Sequence, residues 1–115
     1  MSKYFARKTT CKHGHSHASR GEARRCAELH LLQAAGEIVN LQVEPQFWFV
    51  IDGRPVKHGN GRRAGYRPDF LYTEVPTLND VVEDFKGGPT LTEAAVLRMA
   101  LFRHLFPQFE LRVVK

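Results

Sequence analysis

The sequence predicts one mixed α/β domain in the order helix, strands, helix, strand. Three observations carry this. A small-residue amphipathic stretch runs from Glu22 to Ala35 and meets Gly36. Apolar, β-branched and aromatic runs follow at 41–51, 66–72 and 81–86. A second helical pattern to about Leu105 is closed by Pro107 and followed by Phe109–Val114. That order implies a single mixed sheet covered by helices.

The bulk composition fits this. The chain has 115 residues, enough for one compact domain, with 43% hydrophobic and 25% charged residues. Eight Phe and one Trp can fill a modest core. The formal charge is +5, from 17 Lys and Arg against 12 Asp and Glu. Such an excess favours a polyanionic partner, nucleic acid or an anionic membrane surface. No apolar run is long enough to span a bilayer. Met1 to Lys8 lacks the apolar core of a secretion signal, and with two cysteines the expectation is a reducing cytoplasm. Cys11 and Cys26 are expected to be free thiols.

Residues 1–18 read as a basic, His-containing arm and 19–115 as the folded domain. Ser19-Arg-Gly-Glu22 has the form of a capping box. In the helix that follows, Ala23, Cys26, Ala27, Leu31 and Ala34 share one side. Gly36 is the expected stop. Leu41 to Ile51 reads as one extended segment with two apolar faces, and Pro45 as a strand start or an edge. Asp52-Gly53 begins a turn, and the loop to Arg63 is basic and glycine-rich. Tyr66 to Tyr72 and Val81 to Lys86 are the next strands. Thr90 or Thr92 caps the second helix, where Ala95, Leu97, Met99, Leu101 and Phe102 supply apolar bulk.

Chemistry concentrates at Asp69 and, fifteen residues on, Asp84-Phe85-Lys86. Alternation along a strand puts Asp84 and Lys86 on one face and Glu83 and Phe85 on the other. A bulge would exchange Glu83 for Asp84. Should the strand carrying Asp69 lie alongside, the two carboxylates and the ammonium converge. Phosphodiester cleavage calls for this set. A hard cation, Mg2+ or Mn2+, is held by carboxylate oxygens, here Asp69 and Asp84, with the Phe85 carbonyl as a further ligand. Lys86 then orients the attacking water or offsets oxyanion charge. The plain alternative is a surface Asp and an Asp-Lys pair on a solvated strand. The apolar flanks Val81-Val82, Pro68 and Phe70 argue against it, because charge in such segments is costly unless paired or ligating.

Pro68-Asp69 followed by Asp84-Phe85-Lys86 resembles the signature of the PD-(D/E)XK nuclease superfamily. Ser19–Arg25, Glu28–Ile38, Asn40-Leu41, Pro45–Phe47, Tyr66–Phe70 and Val82–Gly87 are similar to a phage-encoded branch of it, over roughly residues 13–114. The resemblance implies a restriction-endonuclease-like core of helix, three-stranded meander, helix and strand. It implies divalent-metal DNA cleavage in a bacterial host cell and kinship with archaeal-type Holliday junction resolvases, which are small basic dimers. It also implies that a Glu on the first helix, here Glu22, completes the metal shell. Glu22, Cys26 and Leu29 share a stripe at i, i+4 and i+7 bordering the apolar side, while the capping box offers Glu22 a purely local role. The helix after the motif departs from the family in carrying few Lys and aromatic residues; Arg98 stands in as a phosphate contact.

The basic residues form an arm (Lys3, Arg7, Lys8, Lys12), a cluster at the first helix (Arg20, Arg24, Arg25) and a group beside Asp69 (Arg54, Lys57, Arg62, Arg63, Arg67). DNA contacts are expected from Arg20, Arg24, Arg25, Arg62, Arg63, Arg67 and Arg98. Glu28 is expected in a surface ion pair with Arg24 or Arg25. Trp48 and the Phe47–Phe49 pair could stack on bases, but at alternating positions in an apolar strand they are expected in the core or on a dimer face. Cys11, His13, His15 and His17, with Cys26 and His30, offer zinc ligands but lack a second pair at finger spacing. The sequence reading is thus a structure-specific endonuclease, acting on a junction or other branched DNA, with a two-fold dimer placing two sites on opposing strands. Its rivals are a non-catalytic DNA-binding module and a zinc-stabilised interaction domain.

Overall fold

The structure is a computed structural model that describes residues 9–10, 14, 16–17, 20–85 and 92–114. Helix α1 spans Arg20–Ala34. Four strands make the central sheet: β1 Ile38–Val43, β2 Phe70–Glu74, β3 Asp80–Phe85 and β4 Phe109–Val114. Helix α2, Glu93–Leu105, joins β3 to β4. The sheet order is β4-β3-β2-β1. β1–β2 and β2–β3 are antiparallel, and β3–β4 is parallel through the α2 crossover. The fold is therefore mixed α/β with one four-stranded mixed sheet, as the element order implies.

Gly36 ends α1 at φ +80°, a conformation that suits glycine, and its N–H donates to the Gln33 carbonyl. Thr92 caps α2, its hydroxyl accepting from the Ala95 N–H at 3.1 Å. Ser19 and the capping box lie outside the described residues. In the N-terminal segment Thr9–Thr10 pairs with Ser16–His17 against α1, so part of the expected arm is a short antiparallel pair.

Two expected strands are broken. The 41–51 run begins earlier, at Ile38, and stops at Glu44, which takes φ +52° and donates its N–H to the Asp69 carbonyl. Phe47–Trp48 then pairs with Gly65–Tyr66, and Val50–Ile51 turns back through Asp52-Gly53 onto Arg54–Pro55. The basic stretch 57–63 is a paired hairpin: Lys57 bridges Arg63, and the His58 N–H donates to the Arg62 carbonyl at 2.8 Å. Likewise 66–72 divides at Arg67-Pro68-Asp69 into Gly65–Tyr66 and β2.

The core has two layers, one on each side of the sheet. Ala23, Cys26 and Leu29 of α1 pack with Ile38, Phe70, Tyr72 and Val81. Met99 and Phe102 of α2 pack with Phe49, Tyr66 and Val82. Leu31, Val96 and Leu97 are exposed, so the buried stripe of α1 runs through Glu22, Ala23, Cys26 and Leu29.

Candidate active site

The ladder between β2 and β3 fixes the site. Phe70 pairs with Glu83 and Leu71 with Val82, so Asp69, just before Phe70, lies at the end of β3 that carries Asp84, whose carboxylate acts on it. Asp69 is held by three hydrogen bonds. Its N–H donates to the Glu83 carbonyl at 3.0 Å, and its carbonyl accepts from Glu44 at 2.8 Å. Its carboxylate accepts from the Phe85 N–H at 2.5 Å.

Alternation along β3 holds. Val81 faces α1 and Val82 faces α2. Glu83, on the α1 side, takes Arg25 at 2.8 and 2.6 Å and the Tyr72 hydroxyl. Asp84, on the α2 side, accepts from the Tyr66 hydroxyl. Tyr66 is itself fixed by ring contact with Phe102 at 5.2 Å. Glu83 is thus a structural counter-ion for Arg25, and Asp84 is the carboxylate beside Asp69.

Glu22 arrives from the opposite layer. It sits in the first turn of α1, almost wholly buried at 6% exposure. Gly21 helps bring it there: a Cβ at position 21 would lie 2.8 Å from Cε1 of the Phe85 ring, so any larger residue at the helix start requires that ring to shift. The carboxylates of Glu22 and Asp84 then each act on Asp69. Burial and the charge of Glu22, with a further contribution from Asp84, push Asp69 up to about 8, against the Phe85 N–H, which favours its charged form. Burial and the hydrogen bond to Asp84 hold the Tyr66 hydroxyl well above its usual range, so it stays a donor.

Among the described residues no three His, Cys, Asp or Glu side chains stand close enough to enclose an ion as they are. Asp69 is turned to the Phe85 N–H and Asp84 to Tyr66. The donor set nonetheless suits a hard divalent cation, being carboxylate oxygens whose mutual repulsion a cation relieves. Lys86 lies outside the described residues, as do Cys11, His13 and His15. Cys26 is buried, with its Sγ 3.6 Å from Nδ1 of His30.

The expected DNA-binding arginines divide. Arg63, Arg67 and Arg98 line one cleft of about 360 Å3 that Asp84 and Tyr66 also line. Arg62 lies with Arg63 at the neighbouring hairpin tip. Arg20 and Arg24 are exposed on α1. Arg25 differs: Glu83 takes its guanidinium on one side and Glu28 at 3.2 Å on the other. The expected Glu28 ion pair is therefore with Arg25.

Sequence reasoning missed the roles of Tyr66 and Gly21. A signal existed for Tyr66, two residues before Pro68-Asp69 on a strand. None existed for Gly21, whose partner is more than sixty residues away.

The chain belongs to the DUF1064 family, described as proteins of unknown function; the family model matches residues 1–115. No curated protein and no solved structure matches it. No helix among the described residues is long and apolar enough to cross a membrane.

Proposed function

We propose that the protein is a metal-dependent, structure-specific DNA endonuclease with a PD-(D/E)XK-type site. One observation carries the reading: Glu22, Asp69 and Asp84 come from α1, the lead-in to β2, and β3, and meet where β3 ends. The helix–meander–helix–strand order around them supports the restriction-endonuclease-like comparison.

Mg2+ or Mn2+ held by Glu22, Asp69, Asp84 and the Phe85 carbonyl would acidify a water and offset charge at the phosphate. The chain's own residues prepare that place. Tyr66 and the Phe85 N–H each fix one carboxylate oxygen, so the acidic groups are positioned before substrate arrives. Lys86, next in sequence after Phe85, is assigned to the water or the oxyanion. The arginines of the cleft take the phosphates. A Holliday junction or another branched intermediate of phage recombination or replication is the proposed substrate, and a homodimer would cut paired strands.

The test is cleavage of a panel of duplex, single-stranded, flap and four-way DNA in Mg2+ or chelator, by the wild type and by Asp84→Asn. The expected result is Mg2+-dependent cutting of a branched substrate, reduced by about 100-fold or more in the variant. Binding without cutting in any metal would leave a DNA-binding module instead. Near-stoichiometric zinc in purified protein would favour the zinc-stabilised domain.

A further inference from the structure

Trp48 is the chain's single tryptophan and is 44% exposed, which leaves a dimer face or a base-stacking surface of the places the sequence allowed it and not the core. It lines the same cleft as Asp84, together with Arg63, Arg67 and Arg98. The indole is held there by construction. Trp48 pairs with Gly65 across two antiparallel strands. A Cβ at Gly65 would lie 3.0 Å from Cε3 of the indole and 2.8 Å from Nε2 of Gln46, so the ring lies over a position that no side chain fills. The Arg63 guanidinium stands 5.1 Å from the ring centroid and backs the indole. Phe47, one residue earlier, turns the other way into Phe102, Phe106 and Phe109.

An exposed indole with a guanidinium over its ring offers a stacked pair of planes on which a nucleobase stacks, on the indole or on the guanidinium. Bases inside a duplex already stack on one another and cannot use it. The cations around the cleft select a polyanion, and the Asp84 wall joins the cleft to the carboxylate site. We infer that this cleft receives an unpaired nucleotide of the DNA strand, its base on Trp48 and its phosphates on Arg63, Arg67 and Arg98, next to the bond to be cut. The inference rests on the nuclease reading and deepens it: the preferred substrate exposes an unpaired nucleotide at the branch, as a flap or frayed junction does.

Because Trp48 is unique, its fluorescence reports the contact directly. The probes are an oligothymidylate and a blunt duplex of equal charge, both in chelator so that nothing is cut. The expected result is strong quenching by the oligothymidylate and little by the duplex. Trp48→Ala should weaken oligothymidylate and flap binding by about 5- to 100-fold while changing duplex binding by less than about 2-fold, with Trp48→Phe restoring most of the loss. Far-UV circular dichroism of each variant checks that it folds; should Trp48→Ala fail that check, the quenching and Trp48→Phe decide. Oligothymidylate binding without quenching, or an equal loss on both probes, overturns the inference. Quenching by a protein that never cleaves in Mg2+ would remove the nuclease and keep the cleft. Flap cleavage unchanged in Trp48→Ala would remove the cleft and keep the nuclease.

Discussion

Gly21 at the start of α1 lies against the ring of Phe85 at the end of β3, with room for a hydrogen and none for a methyl group. This contact brings the acidic residue of the helix to the acidic end of the sheet. Helix propensity alone says that Gly21→Ala should stabilise the protein by about 1 kcal/mol. The contact predicts the reverse: overpacking by about 1–3 kcal/mol, a lower Tm, and a helix start pushed away from β3. Glu22 moves with it, so DNA cleavage should fall more than stability does. Thermal unfolding and cleavage rates of Gly21→Ala measured side by side check this; an unchanged or raised Tm would contradict it.

Tyr66 holds Asp84 from the α2 side, and Phe102 holds Tyr66. Tyr66→Phe keeps the ring packing and deletes the hydrogen bond. It should weaken divalent-metal affinity and activity by about 10- to 100-fold, in the manner of a lost supporting partner of a metal ligand. Stability should fall by about 1–3 kcal/mol, because a buried carboxylate loses a donor. Metal titration of the variant reads this directly.

Glu83 and Arg25 form the opposite case. The carboxylate is 1% exposed and its oxygens are taken by Arg25 and Tyr72. Removing one partner leaves the other charge stranded beside the core. Arg25→Ala should therefore cost about 3–5 kcal/mol in unfolding free energy by denaturant titration. Where the variant still folds, cleavage at low temperature should persist, since neither residue belongs to the carboxylate site. Abolished cleavage in a well-folded Arg25→Ala would place Arg25 on the DNA instead.

The pH dependence of stability has a definite sign. The Asp69 carboxyl is raised in the fold from 3.8 to about 8, chiefly by burial, so its protonated form is the one that the fold prefers. Its favourable contribution is complete below about pH 4 and is lost as pH rises to about 8. In chelator, the Tm of the wild type should therefore fall relative to Asp69→Asn across that window. A difference that does not change with pH would contradict the crowding of the three carboxylates.

Parts of this were legible in the chain and parts were not, for physical reasons. Local signals located β4 at Phe109–Val114, the Thr92 cap and the Gly36 stop, each of which depends on near neighbours in sequence. Alternation in β3 separated Glu83 from Asp84 correctly. The division of 41–51 was hidden because Glu44 adopts a left-handed φ only to meet the Asp69 backbone, a long-range partner. On α1 the stripe Glu22, Cys26 and Leu29 is buried as its spacing allows, while Leu31 and Ala34, expected on the apolar side, are exposed because that side of the helix meets no other layer.

The central claim is that Glu22, Asp69 and Asp84 serve one divalent cation together. Calorimetric titration of Mn2+ into the wild type and into Glu22→Gln, Asp69→Asn and Asp84→Asn tests it most directly. The account predicts carboxylate-dependent binding in the wild type, weakened in all three variants while each remains folded. Undiminished binding in any two of the folded variants, or none in the wild type with and without DNA, would contradict it.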